Sequence, residues 1–298
     1  MVTRRKEMFI VLLAASLVFI SGCIEFGEDD EEVGYGVEIT SFDAIPPEVF
    51  SGDSFDLLLD VQNMGDRTAE DVWANVERAG GSIEVDGFQD QVLLDPPTED
   101  FEGEMHTFTA SMTAPQISVG PENVGIRSRV YYKYETDARV LLPVIEKDEY
   151  AMRLEVGDPI PDMGVSRMSR GPLSVGIDGP SPVLIDEDDT TFRFYIQGQN
   201  IGGGVPYLED AHGEGEIPGR EQRNRISVDV SFPEDTPVSW EDEDCSDDNV
   251  RVYGGDFQII CRGEIDEDVN FLEVPIDVNL DYGYYIDQET SLTVKESI

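Results

Sequence analysis

Hydrophobic and polar residues alternate along most of the chain, a pattern that predicts half-buried β-strands. In the first half, the residues predicted to face a core are Phe55, Leu57, Leu59 and Val61, then Val72, Ala74 and Val76, then Ile126, Val130, Tyr132 and Tyr134. The residues predicted to face outward are Trp73, Asn75 and Glu77, and later Arg127, Arg129, Tyr131 and Lys133. Residues 140–144 predict a further strand. Together these segments predict a first β-domain over residues 35–147.

The second half alternates in the same way. Its predicted core-facing residues are Phe192, Phe194 and Ile196, then Ile226, Val228, Val230 and Phe232, then Leu272, Val274, Ile276, Val278, Leu280 and Tyr282. Pro275 falls on the outward face of the last segment, which predicts an edge position or a strand start there. A second β-domain is therefore predicted over residues 166–298.

A short helix is predicted between the two halves, over residues 149–156. Asp148 precedes it as a candidate N-cap, and Gly157 follows as a candidate C-terminal residue. Two prolines soon after Gly157 prevent the helix from continuing. Residues 148–165 are therefore predicted to link the domains.

The two halves share local sequence features in the same order. Each has a Pro-rich corner, a strand led by Phe, an Asn-x-Gly turn and a Tyr-x-Tyr pair near its end. The paired segments are 46–49 and 180–183, then 63–65 and 200–202, then 132–134 and 282–284. Asn-x-Gly is a common turn, so chance similarity is the alternative. The shared order and similar lengths favour a tandem duplication.

The stretch 37–76 resembles a CARDB-type or related immunoglobulin-like domain of prokaryotic surface proteins. The resemblance rests on its extended start, its Pro-rich corner, its Phe-led strand and the ending Val61-Gln62-Asn63-Met64-Gly65. The second copy, 173–230, is similar but has a longer Gly-rich insertion over 202–219. The resemblance implies an all-β fold of two tandem immunoglobulin-like β-sandwiches, a scaffold that many functions share.

The N-terminus predicts export. Three basic residues, 4–6, precede an apolar stretch over 8–20, which has signal-peptide length and is too short to span a bilayer as a helix. The segment Ile20-Ser21-Gly22-Cys23 resembles a lipobox, and this implies cleavage after residue 22 and a thiol at Cys23 that carries two hydrocarbon chains. Two chains anchor a protein stably to a membrane. The alternative is a lone core cysteine after an apolar helix.

These features predict a protein held by Cys23 on the outer face of the cell membrane, after removal of a signal peptide over 1–22. The acidic segment 23–34 is predicted to be a tether. Thr3-Arg4-Arg5 also resembles a twin-arginine signal, although Glu7 departs from that pattern. The export route therefore stays open between the general and twin-arginine pathways.

The chain is strongly acidic, with 64 Asp and Glu against 20 Lys and Arg and a net charge of -44. Such a surface repels nucleic acid and anionic lipid. Dispersed acidity with only four lysines resembles proteins of extreme halophiles and suggests a halophilic archaeon. Because molar salt screens repulsion, folding is expected to depend on salt. The alternative, disorder, is disfavoured because 40% of the residues are hydrophobic.

Cys245 and Cys261 remain as a pair once Cys23 is assigned. In an exported protein an even pair predicts a disulfide, and two free thiols are the alternative; no further residues are spaced to complete a metal site. The acidic runs 186–189 and 241–244 could bind calcium, but they lack the ligand spacing of known calcium loops, so a solvated acidic face is preferred. No cofactor is predicted.

No catalytic motif stands out. The two histidines, His106 and His212, are far apart in sequence and are expected to be ordinary surface residues. The Gly-rich insertion carries Tyr207, Leu208 and His212, and a mobile flap with these residues could contact a partner. A plain flexible connection is the alternative reading of the insertion.

The favoured function is a lipid-anchored, non-enzymatic cell-surface protein. It would act in adhesion or as a structural or accessory subunit of an envelope assembly, with a protein partner and without nucleic acid. The alternative is a solute-binding lipoprotein of a transporter, but the helical periodicity of two α/β lobes is missing. A metal-dependent hydrolase is a third possibility that lacks a defined set of catalytic residues.

Overall fold

The computed structural model describes residues 35–79, 87–186, 190–212, 217–241, 245–266 and 269–297. The predicted signal peptide, the lipidation site Cys23 and the acidic tether all lie outside these residues. Among the described ranges, no helix combines the length and hydrophobicity that crossing a membrane requires.

Strands make up most of the described chain. The first half contains β1 (Val37–Ile45), β2 (Glu48–Phe50), β3 (Ser54–Asn63), β4 (Ala69–Ala79), β5 (Gln91–Leu94), β6 (Met105–Thr113) and β7 (Glu122–Glu146). Helix α1 (Lys147–Val156) and β8 (Gly164–Met168) follow. The second half contains β9 (Leu173–Asp178), β10 (Val183–Ile185), β11 (Thr191–Asn200), β12 (Val205–Tyr207), a 3₁₀ turn (Glu209–Ala211), β13 (Arg225–Ser231), β14 (Val238–Trp240), β15 (Asp247–Arg251), β16 (Asp256–Ile265) and β17 (Phe271–Lys295).

The strands form three sheets. A central sheet of ten strands follows the order β15-β13-β17-β7-β4-β5, with β2, β8, β10 and β12 attached beside it. The first cover sheet is β1-β3-β6, and the second cover sheet is β14-β16-β11-β9. Even-numbered residues of β7 and β17 join one hydrophobic core together with residues of both cover sheets. Because alternate side chains of a strand point to opposite faces, both cover sheets lie on the same face of the central sheet.

The two halves repeat each other in strand order and pairing, as the sequence predicts. β1, β3 and β6 correspond to β9, β11 and β16, and β4 pairs with β7 as β13 pairs with β17. In each copy the Asn-x-Gly turn is held alike: the Asn side chain donates to the carbonyl oxygen four residues on, at 2.7 and 2.8 Å, and that residue's N–H donates to a Tyr hydroxyl of the long strand. These sets are Asn63, Arg67 and Tyr134, and Asn200, Gly204 and Tyr284.

The copies exchange parts of their longest strands. β7 and β17 pair antiparallel in unbroken register, from Phe271↔Ile145 to Val294↔Glu122. The first part of β7 pairs with β4 of its own copy, whereas its last part pairs with β10 of the second copy. Conversely, β17 pairs first with β13 and at its end with β2 of the first copy. Each long strand therefore begins in one sandwich and ends in the other, which we call the reciprocal exchange.

The reciprocal exchange changes the predicted domain organisation. Residues 34–298 form one compact unit with a shared core, and not two sandwiches joined only by a linker. The sequence did not indicate this because its alternation weakens over 135–139, and residues 140–144 were predicted as a further strand. The boundaries 35–147, 148–165 and 166–298 stay a prediction about the copies.

A pseudo-two-fold axis passes through the central sheet where Lys133 pairs with Gly283. On either side of this pair, the Tyr-x-Tyr segments of the two copies face each other as Tyr132↔Tyr284 and Tyr134↔Tyr282. All four rings are buried, with centroid distances of 5.7 and 6.3 Å across the strands. The repeated Tyr-x-Tyr motif therefore forms one of the contacts between the copies, on the core face.

The predicted core faces are confirmed at most positions, including Phe55, Leu57, Phe194 and Val274. The outward assignment of Trp73 and Tyr131 was wrong about exposure: both point away from this core, yet both are buried. Pro275 lies beyond the segment where β13 pairs with β17, so the strand is locally an edge there.

Helix α1 begins at Lys147, two residues before the predicted start, and its N-cap is Glu146 instead of Asp148. It ends as predicted, because Gly157 adopts the left-handed conformation (φ 72°) and its N–H donates to Arg153 O. None of its ten residues is buried, so the helix adds little to the core.

Candidate functional site

The outer face of the central sheet, opposite the core, carries a second buried cluster. We call Trp73, Tyr131, Tyr207 and Tyr285 the aromatic cluster. Trp73 stacks on Tyr131 with ring centroids 4.2 Å apart and planes 11° apart, and Tyr207 meets Tyr131 edge-on at 6.3 Å. These residues come from β4 and β7 of one copy and β12 and β17 of the other. The cluster therefore joins the copies on this face, as the core does on the opposite one.

Residues 205–212 of the Gly-rich insertion lie against this cluster. Tyr207 is completely buried, and its hydroxyl contacts His212 Nδ1. His212 Nε2 lies 2.9 Å from the carbonyl oxygen of Asp71 in β4 of the first copy. Because a carbonyl oxygen can only accept, Nε2 carries the proton and Nδ1 accepts from Tyr207. Burial lowers the pKa of His212, in agreement with this neutral form.

The residues proposed for a partner-contact flap therefore pack against the central sheet in this structure. Tyr207 is unavailable to a partner in this structure, and Leu208 and His212 are half-buried. Gly283 explains how the ring fits, since a Cβ at that position would lie 2.1 Å from Tyr207 Cε2. A partner contact at Leu208 and His212 stays a prediction.

Two phenols of the aromatic cluster, those of Tyr131 and Tyr207, are held in their protonated form. Burial raises the pKa of both Tyr131 and Tyr207 well above the ordinary value. Tyr131 donates to Glu77 Oε1 at 2.7 Å, and Arg129 lies over the Tyr285 ring at 4.1 Å from its centroid. The arrangement suits packing and hydrogen bonding, and neither Tyr131 nor Tyr207 provides a phenolate that could act as a base.

Ion pairs continue along the outer face. Three arginines of β7 face carboxylates directly opposite them on β17: Arg127 with Glu289, Arg129 with Asp287, and Arg139 with Asp277. The pairs of Arg127 and Arg139 are exposed to solvent, which screens them, so they contribute little to stability, whereas the Arg129 side chain is mostly buried. Their placement is informative, because scarce positive charges of an acidic chain lie where the two copies pair.

A polar cavity of about 360 Å³ opens beside Lys133 on the same face. Lys133 Nζ lies 3.1 Å from Asp71 and 3.7 Å from Glu209. Across the cavity, Asp281 of β17 pairs in register with Glu135 of β7. Burial, followed by the charges of Glu209 and Glu135, raises the pKa of Asp281 to about 6. Two carboxylates in opposite register positions destabilise a sheet.

We expect Asp281→Asn to stabilise the protein above pH 6. The folded carboxyl keeps its proton up to about pH 6, whereas the unfolded one loses it near pH 3.8. Unfolding therefore releases a proton between these values, and stability falls as pH rises through them. Removing the charge should add about 1 kcal/mol at pH 7.5, a figure reduced for solvent screening.

Thermal unfolding at pH 7.5 and pH 4, in low and in molar salt, checks this expectation. The gain should shrink at pH 4, where the wild-type carboxyl is protonated, and in molar salt, which screens the repulsion. Asp43→Asn, at an exposed carboxylate of β1, is the control and should change little. An equal gain at both pH values would contradict the raised pKa.

The remaining predicted sites are placed as follows. The structure joins Cys245 and Cys261 in a disulfide with a Cα–Cα distance of 5.2 Å, which fits disulfide geometry. His106, in β6 of the first cover sheet, packs edge-on against Phe108 with ring centroids 4.7 Å apart, whereas His212 bonds to Asp71 of β4 in the central sheet.

The acidic runs lie largely outside the described residues, since 187–189 and 242–244 are not part of them. Within the described ranges, no three His, Cys, Asp or Glu side chains are grouped to hold a metal ion. The aromatic cluster was not predicted from the sequence. Its available signal was aromatic residues on outward positions of β4, β7 and β17.

No family model matches the chain, and no curated protein matches it. Among solved structures, the collagen-binding domain of surface protein RspB of Erysipelothrix rhusiopathiae is 10% identical, covering 87% of this chain and 89% of that one at a TM-score of 0.18. Collagen adhesin (CNA) from S. aureus is 8% identical, with 87% and 92% covered and a TM-score of 0.16. Because such TM-scores are no evidence of a common fold, the function proposed below rests on this chain's own residues.

Proposed function

We propose that the chain is a lipid-anchored, non-enzymatic protein of the outer cell surface. It acts in adhesion, or as a structural or accessory subunit of an envelope assembly, and binds a protein partner there. The single observation that carries the proposal is the reciprocal exchange, which makes two sandwich copies into one body with broad, rigid sheet faces. Rigid β-scaffolds with exposed faces and loops suit recognition.

The chemistry of the outer face supports a binding role over a catalytic one. Tyr207, His212 and Trp73 are the side chains best able to react or bind a cofactor there, and all three are packed between the copies. Their contacts hold the insertion in place. The presence of these three side chains is therefore explained by the packing that they provide, without a catalytic role.

Two further observations support the cell-surface location. The disulfide between Cys245 and Cys261 is typical of proteins that mature in an oxidising compartment. The sequence before Cys23 has the features of a lipoprotein signal, and the acidic tether would hold the folded unit away from the anionic membrane.

The test is membrane retention in cells that express the full chain. The wild type should fractionate with membranes and partition into detergent, and Cys23→Ser should appear in the medium or lose that partitioning. Ile24→Ala, one residue on, keeps the thiol and should behave as the wild type. Equal membrane retention of Cys23→Ser would contradict the anchor. A protein partner should co-purify with the wild type in molar salt, and failure to recover one would contradict the proposed partnership.

A further inference from the structure

The outward face of the second cover sheet carries an open groove of about 640 Å³. It runs over β9, β11 and β16, and the turn from Tyr253 to Asp256 borders it. Neither the aromatic cluster nor the polar cavity beside Lys133 belongs to it. The groove is therefore a separate feature of the second copy.

One row of residues crosses the groove. Gly176 of β9, Gln197 of β11 and Gln258 of β16 lie side by side in register, and Gln199 follows two residues after Gln197. The chain has nine glutamines, and three of them line this groove. Their side-chain amides make no hydrogen bond to any described residue. Each amide can therefore donate and accept toward a ligand at once.

The first copy provides an internal comparison. Asp60 lies three residues before Asn63, as Gln197 lies three residues before Asn200, so these two positions are equivalent. In the first copy, Ser41 of β1, Asp60 of β3 and Thr107 of β6 lie side by side in register. Their side chains bond to one another, since Ser41 Oγ donates to the Asp60 carboxylate at 2.8 Å and Thr107 Oγ1 donates to it as well. In the first copy the polar side chains of this row therefore hydrogen-bond to one another, whereas in the second copy the glutamine amides of the equivalent row do not.

The charge of the groove differs from that of the whole chain. Arg251 and Asp256 are its two charged lining residues and cancel, whereas the chain carries -44. Tyr253 stands at the border with 77% of its surface exposed. An aromatic ring offers an apolar face beside a polar tip, which matches the alternating C–H and O–H groups of a sugar ring.

We infer that this groove binds a short neutral oligosaccharide. Paired amides match vicinal hydroxyl groups because each amide supplies both a donor and an acceptor. Gly176 leaves room for the ligand above the strand, and Tyr253 stacks on the outermost ring. The inference deepens the proposed adhesive function and rests on it, since it names the ligand chemistry: a glycan, free or carried on a surface protein.

The experiment measures binding of the full chain, in molar salt, to immobilised neutral hexose oligosaccharides. The key variant combines Gly176→Ser, Gln197→Asp and Gln258→Thr, which installs the closed row of the first copy in the second. We expect the wild type to bind and the triple variant to bind at least about tenfold more weakly, because two ligand-bonding amides are lost. Gln288→Asp adds the same charge outside the groove and should bind as the wild type. Equal melting temperatures verify folding.

Absence of binding to every neutral oligosaccharide, or equal binding by the triple variant, would overturn the inference. A second arm uses a cell-surface glycoprotein before and after enzymatic removal of its glycans, and distinguishes a carried glycan from a free one. Groove-dependent binding that survives glycan removal would identify a protein ligand instead and overturn the inference as well. Membrane retention through Cys23 is measured separately, so the groove can fail while the proposed location stands.

Discussion

Leu142→Ala is expected to destabilise both copies together, by about 2–5 kcal/mol. Leu142 belongs to the first copy by sequence, but it lies in the last part of β7, opposite Val274 of β17, and is completely buried. The reciprocal exchange places this part of β7 in the second sandwich. The lost packing should therefore reach the second copy directly and the first through the shared core.

The two tryptophans allow this to be measured. Trp73 lies in the aromatic cluster between the copies and Trp240 in the second cover sheet, so Trp240→Phe and Trp73→Phe backgrounds each leave one fluorescent reporter, at two separate places in the fold. Denaturant unfolding in molar salt should give the same midpoint from both probes, and Leu142→Ala should lower both equally. Leu141→Ala, on the opposite face and only partly buried, is the matched control with a smaller effect. A shift confined to one probe would contradict the shared body.

Removing the disulfide is expected to cost about 3 kcal/mol in the chain-entropy model. Cys245 and Cys261 are 16 residues apart, and the bridge holds Cys245, which precedes β15, to β16. The double variant Cys245→Ser/Cys261→Ser should lower the melting temperature by about 6 °C, the shift that this energy gives in a large domain.

Thermal unfolding of the wild type with and without a thiol reductant provides the comparison. Reductant should lower the melting temperature of the wild type toward that of the double variant and leave the double variant unchanged. If the wild type were equally stable in both conditions, the bridge would add nothing to stability.

The individual strand faces could be read from the sequence because the side-chain period of a strand is two. The continuity of β7 through residues 135–139 could not be read from the sequence. Residues 135–139 are mostly polar and resemble a loop, yet the strand passes through them between the two sandwiches. Thr136 is buried there, and its hydroxyl forms a 2.7 Å hydrogen bond with Tyr282 OH. A polar residue in a core is acceptable when its partner comes from the other copy, and sequence periodicity does not reveal that partner.

The candidate site was predictable to a smaller degree. The alternation placed Trp73 and Tyr131 on the correct face, but their burial depends on an insertion more than seventy residues away in sequence. Gly283 was the available clue, since a strand glycine often marks a close approach by another group. The groove over Gln197 and Gln258 could not be predicted from the sequence, because only the strand register shows which residues lie side by side in each copy.

The continuous backbones of β7 and β17 have a mechanical consequence. A lipid at Cys23 would hold the chain at a point N-terminal to the first copy, while a ligand bound to the second cover sheet would pull on the second copy. Tension between these points would pass from copy to copy along covalent main chains reinforced by an unbroken ladder of hydrogen bonds. Two modules joined by a hinge would separate under such a load, whereas this molecule would transmit it.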